Sequence, residues 1–221
     1  MTHRPNTLLL GTTSALVLLV GLAAAPARAQ SPVRLELLAG TTAPLDVGAR
    51  ARLVLLDRVL LDASAGAGAY GDLFGAIAEP LGGAEAATVA RGLADGAFVG
   101  RLSLGLRPFG DGLELVFGYT VIQRSTTFEA GTFGAQTPAV HAELLLHALH
   151  GELAGTFAIG DFLIRPAIGW TQAIGSEVGL ASERTGRRID AALAQTEADM
   201  ESAIATYAMT PTVSLGVGYR F

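Results

Sequence analysis

Five residues in one short segment have the types that acid–base or metal chemistry requires: His141, Glu143, His147, His150 and Glu152. Imidazole titrates near neutral pH and ligates zinc, and a neighbouring carboxylate can orient it or accept its proton. The spacing completes neither arrangement. The histidines stand six and three residues apart, so on a strand His147 and His150 point to opposite faces. No HExxH, GxSxG or phosphate-loop sequence occurs. These residues are therefore expected on an upper strand or loop, with no catalytic residue, metal or cofactor assigned. A larger constellation is spread over the whole chain: Arg34, Glu36, Asp46, Arg50, Arg52, Asp62, Arg101, Arg107, Glu114, Glu152, Arg165 and Arg220. Its meaning depends on the elements that carry it.

Composition narrows those elements. Of 221 residues, 50% are apolar and only 16% charged, and the mean hydropathy is +0.44. There is no cysteine and no lysine, so all 15 cationic side chains are arginine. That excludes a disulfide scaffold, thiol catalysis and a cysteine zinc cluster. A net charge of −5 without a basic run excludes an electrostatic nucleic-acid binder, which needs cations to displace counterions.

The first 29 residues have the layout of a secretory signal peptide. Arg4 precedes an apolar run over residues 8–25, and Ala27-Arg28-Ala29 follows Pro26 as a small-x-small site, so cleavage is expected after Ala29. The mature chain, residues 30–221, then carries 13 arginines against 20 acids. It offers no further uncharged apolar stretch long enough for a spanning helix.

Strict alternation recurs instead, the period of a strand with two unlike faces. At the C-terminus Val213, Leu215, Val217, Tyr219 and Phe221 oppose Thr212, Ser214, Gly216, Gly218 and Arg220. The same pattern marks segments 33–39, 45–55, 59–70, 98–107, 113–121, 140–159 and 162–171, although residues 141–149 fit neither period cleanly. Links after the second, fourth and sixth strands are short and rich in Gly and Asp (Asp57, Gly110-Asp111-Gly112, Gly160-Asp161). Those after the third, fifth and seventh, about 71–96, 125–139 and 175–208, are long. An even number of antiparallel strands with alternating short and long links is the pattern of an all-β, eight-stranded, up-and-down transmembrane barrel with both ends in the periplasm.

The closing TVSLGVGYRF resembles the terminal strand by which bacterial outer-membrane proteins are recognised by the barrel-assembly machinery, on Leu215, Val217, Tyr219 and Phe221. The mature chain as a whole resembles the small barrels of the outer membrane A, X and W type. The resemblance implies a bacterial outer-membrane location, outer-membrane lipid as surroundings and the assembly machinery as a partner during biogenesis. The sequence leads one to expect no wall-anchoring domain after the barrel.

On this reading the charged constellation lines the lumen. An eight-stranded barrel is just wide enough for its side chains to fill it, so the seven arginines and five acids are expected to form a salt-bridged plug, with a narrow ion path as the alternative. Phe109, Phe162, Tyr219 and Phe221 should lie at the short-turn interface, and Trp170 and Tyr119 toward the long loops. Ile189, Leu193, Thr196, Met200, Ile204 and Tyr207 recur at helical steps in the last loop, with Asp190, Glu197, Asp199 and Glu201 facing elsewhere. They predict a helix packed as a lid over the mouth. In the first long loop, Pro80 and Gly82-Gly83 leave room for a short helix only after Gly83. Two rivals remain at this level: a lipid-modifying enzyme, and a soluble lipocalin-like barrel whose apolar face points inward.

Overall fold

The computed structural model describes residues 33–109, 112–132, 138–182, 187–206 and 209–221. The leader expected over residues 1–29, with its expected cleavage after Ala29, lies outside the described residues, as do Gly110 and Asp111. Among the described residues nine strands and two helices follow in order: β1 (Val33–Ala43), β2 (Asp46–Leu55), β3 (Val59–Ala67), α1 (Gly71–Ala94), β4 (Phe98–Leu106), β5 (Leu113–Phe128), β6 (Val140–Gly155), β7 (Phe157–Ile159), β8 (Phe162–Ser182), α2 (Arg187–Thr206) and β9 (Met209–Arg220). Every pairing is antiparallel, β9 pairs with β1, and β6 and β8 pair directly, so the sheet closes on itself. The three-residue β7 prolongs β6 past Thr156 and pairs with the start of β8. β6 and β7 thus make one stave, and the molecule is an eight-stranded antiparallel barrel. Paired residues followed once round from Arg220 return to β9 at Thr210, a stagger of ten residues. That stagger on eight staves tilts the strands by about 40°.

One end of the barrel carries the tight turns after β2, β4 and β7 together with Val33 and Phe221; the other carries the longer excursions. At this turn end Arg58 N–H donates to the Leu55 carbonyl at 3.0 Å, and Leu56 and Asp57 both have positive φ, 52° and 58°. Such a turn suits Asn or Gly, and leucine is strained in it. Leu56→Asn is expected to raise the unfolding free energy by about 0.5–1 kcal/mol, read as a shift in the urea midpoint.

Four sequence expectations need correction. The links after the fifth and seventh strands are not mostly loop: β5 runs to Phe128, β6 begins at Val140, and β8 extends to Ser182. These three strands rise beyond the rest of the barrel as a wall at the loop end. Alternation hid them because the faces exchange polarity there. On β5 the outward residues pass from Leu113, Leu115, Phe117, Tyr119 and Val121 to Gln123, Ser125 and Thr127, while the inward ones end in the buried Phe128. β8 also carries a bulge at Ile174: His147 pairs with Gly175 but Ala148 with Ala173, so inward residues change from odd to even numbers.

The second correction concerns the first long link. α1 is helical from Gly71 onward, not only after Gly83, and breaks at Gly83, whose φ of 74° only glycine adopts at ease. Its two halves fold back on each other, with Asp72 bonded to Arg91 at 2.9 Å and the Gly71 N–H donating to the Asp95 carboxylate at 2.8 Å. A carboxylate from the end of the excursion thereby caps its beginning.

Third, Leu45 is buried in the β1–β2 turn rather than outward on β2. Fourth, Glu197 and Glu201 do not face away. β9 stops pairing with β8 at Gln172, which leaves the upper edge of β8 open. α2 lies along that edge, and Glu201 and Glu197 accept from the N–H groups of Val178 (3.2 Å) and Leu180 (2.6 Å). Met200 packs with Val89, Leu93, Phe128, Ala142, Leu144 and Leu180 between the helices and the wall. The stripe position Tyr207 and the side chains of Ile189, Asp190 and Asp199 lie outside the described residues. A double Glu197→Ala, Glu201→Ala variant should lose about 1–3 kcal/mol of local protection at the Val178 and Leu180 amides in hydrogen exchange, leaving the barrel amides unchanged.

Candidate functional site

The lumen is built in levels that the β2–β3 hairpin displays in order. Nearest the turn, Val54 faces Leu60 and both meet Val116 in a small apolar cluster. The next pair is Arg52 and Asp62, then Arg50 and Ser64, then Gly48 and Gly66. Each inward residue sits two positions from the last, so the alternation seen in sequence becomes a vertical stack.

The ionic layer lies above the apolar cluster. Arg52, wholly buried, forks onto Asp62 through Nε (2.6 Å) and Nη2 (2.9 Å), and donates through Nη1 to Glu114 (2.9 Å). Glu114 also accepts from Arg107 Nη2 (2.8 Å), from Arg165 Nε (2.8 Å) and from the Thr156 hydroxyl (2.6 Å). Arg165 reaches on to Glu152 (2.9 Å), which is held from the other side by both terminal nitrogens of Arg50 (3.0 and 3.1 Å). Glu36 lies between Arg107 (3.2 Å), Arg52 (3.6 Å) and Arg220 (3.5 Å). A separate pair, Arg101 with Asp46, stands nearer the loop end, with Arg101 also donating to the Thr42 hydroxyl at 3.5 Å. Bidentate guanidinium–carboxylate contacts are the strongest of their kind, and Arg52 on Asp62 and Arg50 on Glu152 make them.

Ten of the twelve charged residues expected in the lumen therefore meet inside it. Arg220 contributes from the rim, partly exposed. Arg34 is the exception: it lies at the turn end and pairs with Asp57 of the β2–β3 turn at 2.7 Å, because its position precedes the ionic level. The hydroxyl partners were not evident from sequence. His150, 3% exposed, has Ser103 Oγ 2.9 Å from Nε2 and Thr120 Oγ1 2.8 Å from Nδ1. Gly118, opposite His150 on β5, makes room for this, since a Cβ there would come within 2.7 Å of both the His150 ring and Ser103 Oγ. The signal for the trio was only that Ser103, Thr120 and His150 share the inward parity.

The histidine-rich segment is dispersed by the same parity. His141 faces outward on the wall, 3.1 Å from Thr127 Oγ1 and 3.3 Å from Glu143. His147 also faces outward, stacked on Tyr119 with ring centroids 5.9 Å apart and bonded to its hydroxyl. Among the described residues no group of three His, Asp or Glu side chains could hold a metal ion.

Between the turn end and the wall, the outer surface of the staves is an apolar belt. Leu53, Leu61, Leu102, Leu104, Phe117, Leu153, Ile168 and Val213 are exposed, and Leu215, Val217 and Tyr219 continue the row along β9 to Phe221. Phe162 is paired with Tyr219 at the turn end, with Phe109 exposed in the neighbouring turn; Trp170 and Tyr119 occupy the opposite margin, where the outward face becomes polar. Among the described residues no helix is long and apolar enough to cross a membrane.

No family model matches the chain, and no curated protein does. Among solved structures, Acinetobacter baumannii CarO2 is similar with a TM-score of 0.44 and 14% identity, over 87% of this chain and 100% of that one. Acinetobacter baumannii CarO gives a TM-score of 0.41 and 14% identity, over 84% and 97%.

Proposed function

We propose that this chain is an outer-membrane β-barrel protein of a Gram-negative cell envelope, with a plugged lumen and a structural or surface-interaction role exercised through its wall and helices. The observation that carries the reading is the outward belt. Leu113 to Val121 on β5 is nine residues of uninterrupted outward apolarity before Gln123, roughly 22 Å at the strand tilt and rise, close to the apolar band of an outer-membrane barrel. In water such a belt would be an apolar surface running round the whole molecule, far beyond what soluble monomers expose. A lipocalin-like barrel needs the opposite assignment, apolar side chains within.

On this reading outer-membrane lipid solvates the belt, the turn end faces the periplasm, and the wall with α1 and α2 faces outward. The leader over residues 1–29 directs export, with cleavage after Ala29, and Leu215, Val217, Tyr219 and Phe221 serve as the barrel-assembly signal. The charge network acts as a core, so pore activity is weak at most; the engaged carboxylates and dispersed histidines favour no enzymatic role.

Expression with the native leader, followed by outer-membrane isolation and gel mobility in SDS before and after boiling, tests the reading. Membrane recovery with a boiling-dependent shift is expected; recovery in the soluble periplasm would overturn it. Reproducible unitary conductance in planar bilayers would replace the plug by a channel.

A further inference from the structure

The wall has an edge that the barrel leaves open. β9 ends its pairing with β8 at Gln172, so among the described residues no strand pairs with residues 173–182 on that side. Val178 and Leu180 point their N–H groups to this edge and donate them to Glu201 and Glu197 of α2. By the two-residue period of a strand, Ser176 presents its N–H on the same side.

α2 stands where a strand would continue. Its glutamates meet β8 in reverse order, Glu201 at Val178 and Glu197 at Leu180, so the helix runs antiparallel to β8, as β9 does below it. Residues four apart on a helix are separated by about 6 Å along its axis, and residues two apart on a strand by about 6.7 Å. Two carboxylates at helical spacing therefore reproduce the acceptors of a paired strand. The imitation is partial, because carboxylates offer acceptors alone, whereas a strand also offers donors to the edge carbonyls. The helix is shallowly seated as well: none of its described side chains is buried, and Leu193, Met200 and Ile204 are only half-buried.

The outward side of the wall sets the charge that a partner needs. There β5, β6 and β8 carry the exposed Glu143 and Glu177 and no arginine. On an added strand, the residue paired with Glu177 would stand about 5 Å from it between Cβ atoms, where a cation is favoured. The opposite face of that strand would continue the apolar inner face of Val178 and Leu180. Every pairing in the sheet is antiparallel, and a second copy in the same membrane would bring its own β8 in the parallel sense. A separate extended chain meets the requirement.

We propose that the upper edge of β8 is a docking site for an extended peptide of a partner protein, basic on its outward face and apolar on the other, which joins the sheet antiparallel to β8 in place of α2. This gives the surface-interaction role a partner, and rests on that reading only for the compartment from which the partner comes.

The test uses the whole mature barrel in detergent and a labelled synthetic peptide as long as the edge, alternating valine with lysine. Fluorescence anisotropy should show saturable binding, and a peptide alternating valine with glutamate should fail to compete. Glu197→Ala with Glu201→Ala releases the strap and should tighten binding about tenfold. Ser176→Pro removes an edge N–H that α2 does not use, in a place where proline is tolerated, and should weaken binding about tenfold. Both variants should keep the boiling-dependent mobility of a closed barrel. In hydrogen exchange, bound peptide should slow the Ser176 amide and speed those of α2. Absence of saturable binding to the double alanine variant makes α2 a permanent cover against stray pairing and overturns the proposal. Equal binding of the glutamate peptide, or binding indifferent to Ser176→Pro, also overturns it. Dimerisation of the double alanine variant without peptide would assign the edge to a second copy instead. None of these results depends on membrane recovery, so this docking site and the outer-membrane reading fail separately.

Discussion

Replacing Glu114 by alanine should lower the unfolding free energy of the barrel by about 3–5 kcal/mol, the usual cost of removing one partner from a buried ionic group. Glu114 is fully buried and accepts from Arg52, Arg107, Arg165 and Thr156. Its loss leaves three guanidinium groups with fewer acceptors in a space with little room to rearrange. Glu114→Gln retains one acceptor oxygen and the volume and should fall between. Asp57→Ala, at the exposed Arg34 pair, should cost less than about 1 kcal/mol. Urea unfolding in lipid vesicles, followed by Trp170 fluorescence, measures all three. A Glu114→Ala barrel within about 1 kcal/mol of the parent would mean that water reaches the guanidinium groups, and the plug would have to be abandoned.

The second large effect belongs to the outer face. Leu104 points outward at the middle of the belt, paired with Leu61 and Phe117 and 61% exposed. Leu104→Arg in bilayers should cost about 2–4 kcal/mol, while Gln123→Arg, outward beyond the belt on β5, should cost about 0–1 kcal/mol. The difference is diagnostic because both changes add the same charge to the same kind of surface. Equal costs would place the two sites in the same medium and remove the membrane from the account.

Much of the barrel was written in the sequence as parity. Glu36, Arg52, Asp62, Glu114, Glu152 and Arg165 occupy alternate positions opposite leucines and aromatics, and alternation alone sorts them to one face. What parity could not supply is which arginine meets which acid, since that depends on a stagger accumulated over all eight staves. The wall was missed for a related reason. Beyond the belt the outward residues turn polar and an apolar cluster lies inside, so β5 and β6 reverse the meaning of their faces midway, and His141 to Leu149 read as patternless. α2 was legible as a helix, but Glu197 and Glu201 looked like solvent-facing acids. Their use on the open edge of β8 follows only from where β9 stops, and the kink of α1 hid a helical half that Asp95 caps from 24 residues away.

The extra residue at Ile174 separates two reading frames within β8. Turn-ward of it, odd-numbered residues enter the lumen; beyond it, even-numbered ones face the apolar cluster. The barrel and the wall can therefore be edited independently. Substitution or lengthening beyond Gly175 leaves Arg165 and Thr171 pointing where they do, so the wall can diversify, or accept a grafted epitope, on an unchanged foundation. Deleting Ile174 would merge the frames and force one half to present its wrong face, which makes this single position the boundary between the charged barrel and the wall above it.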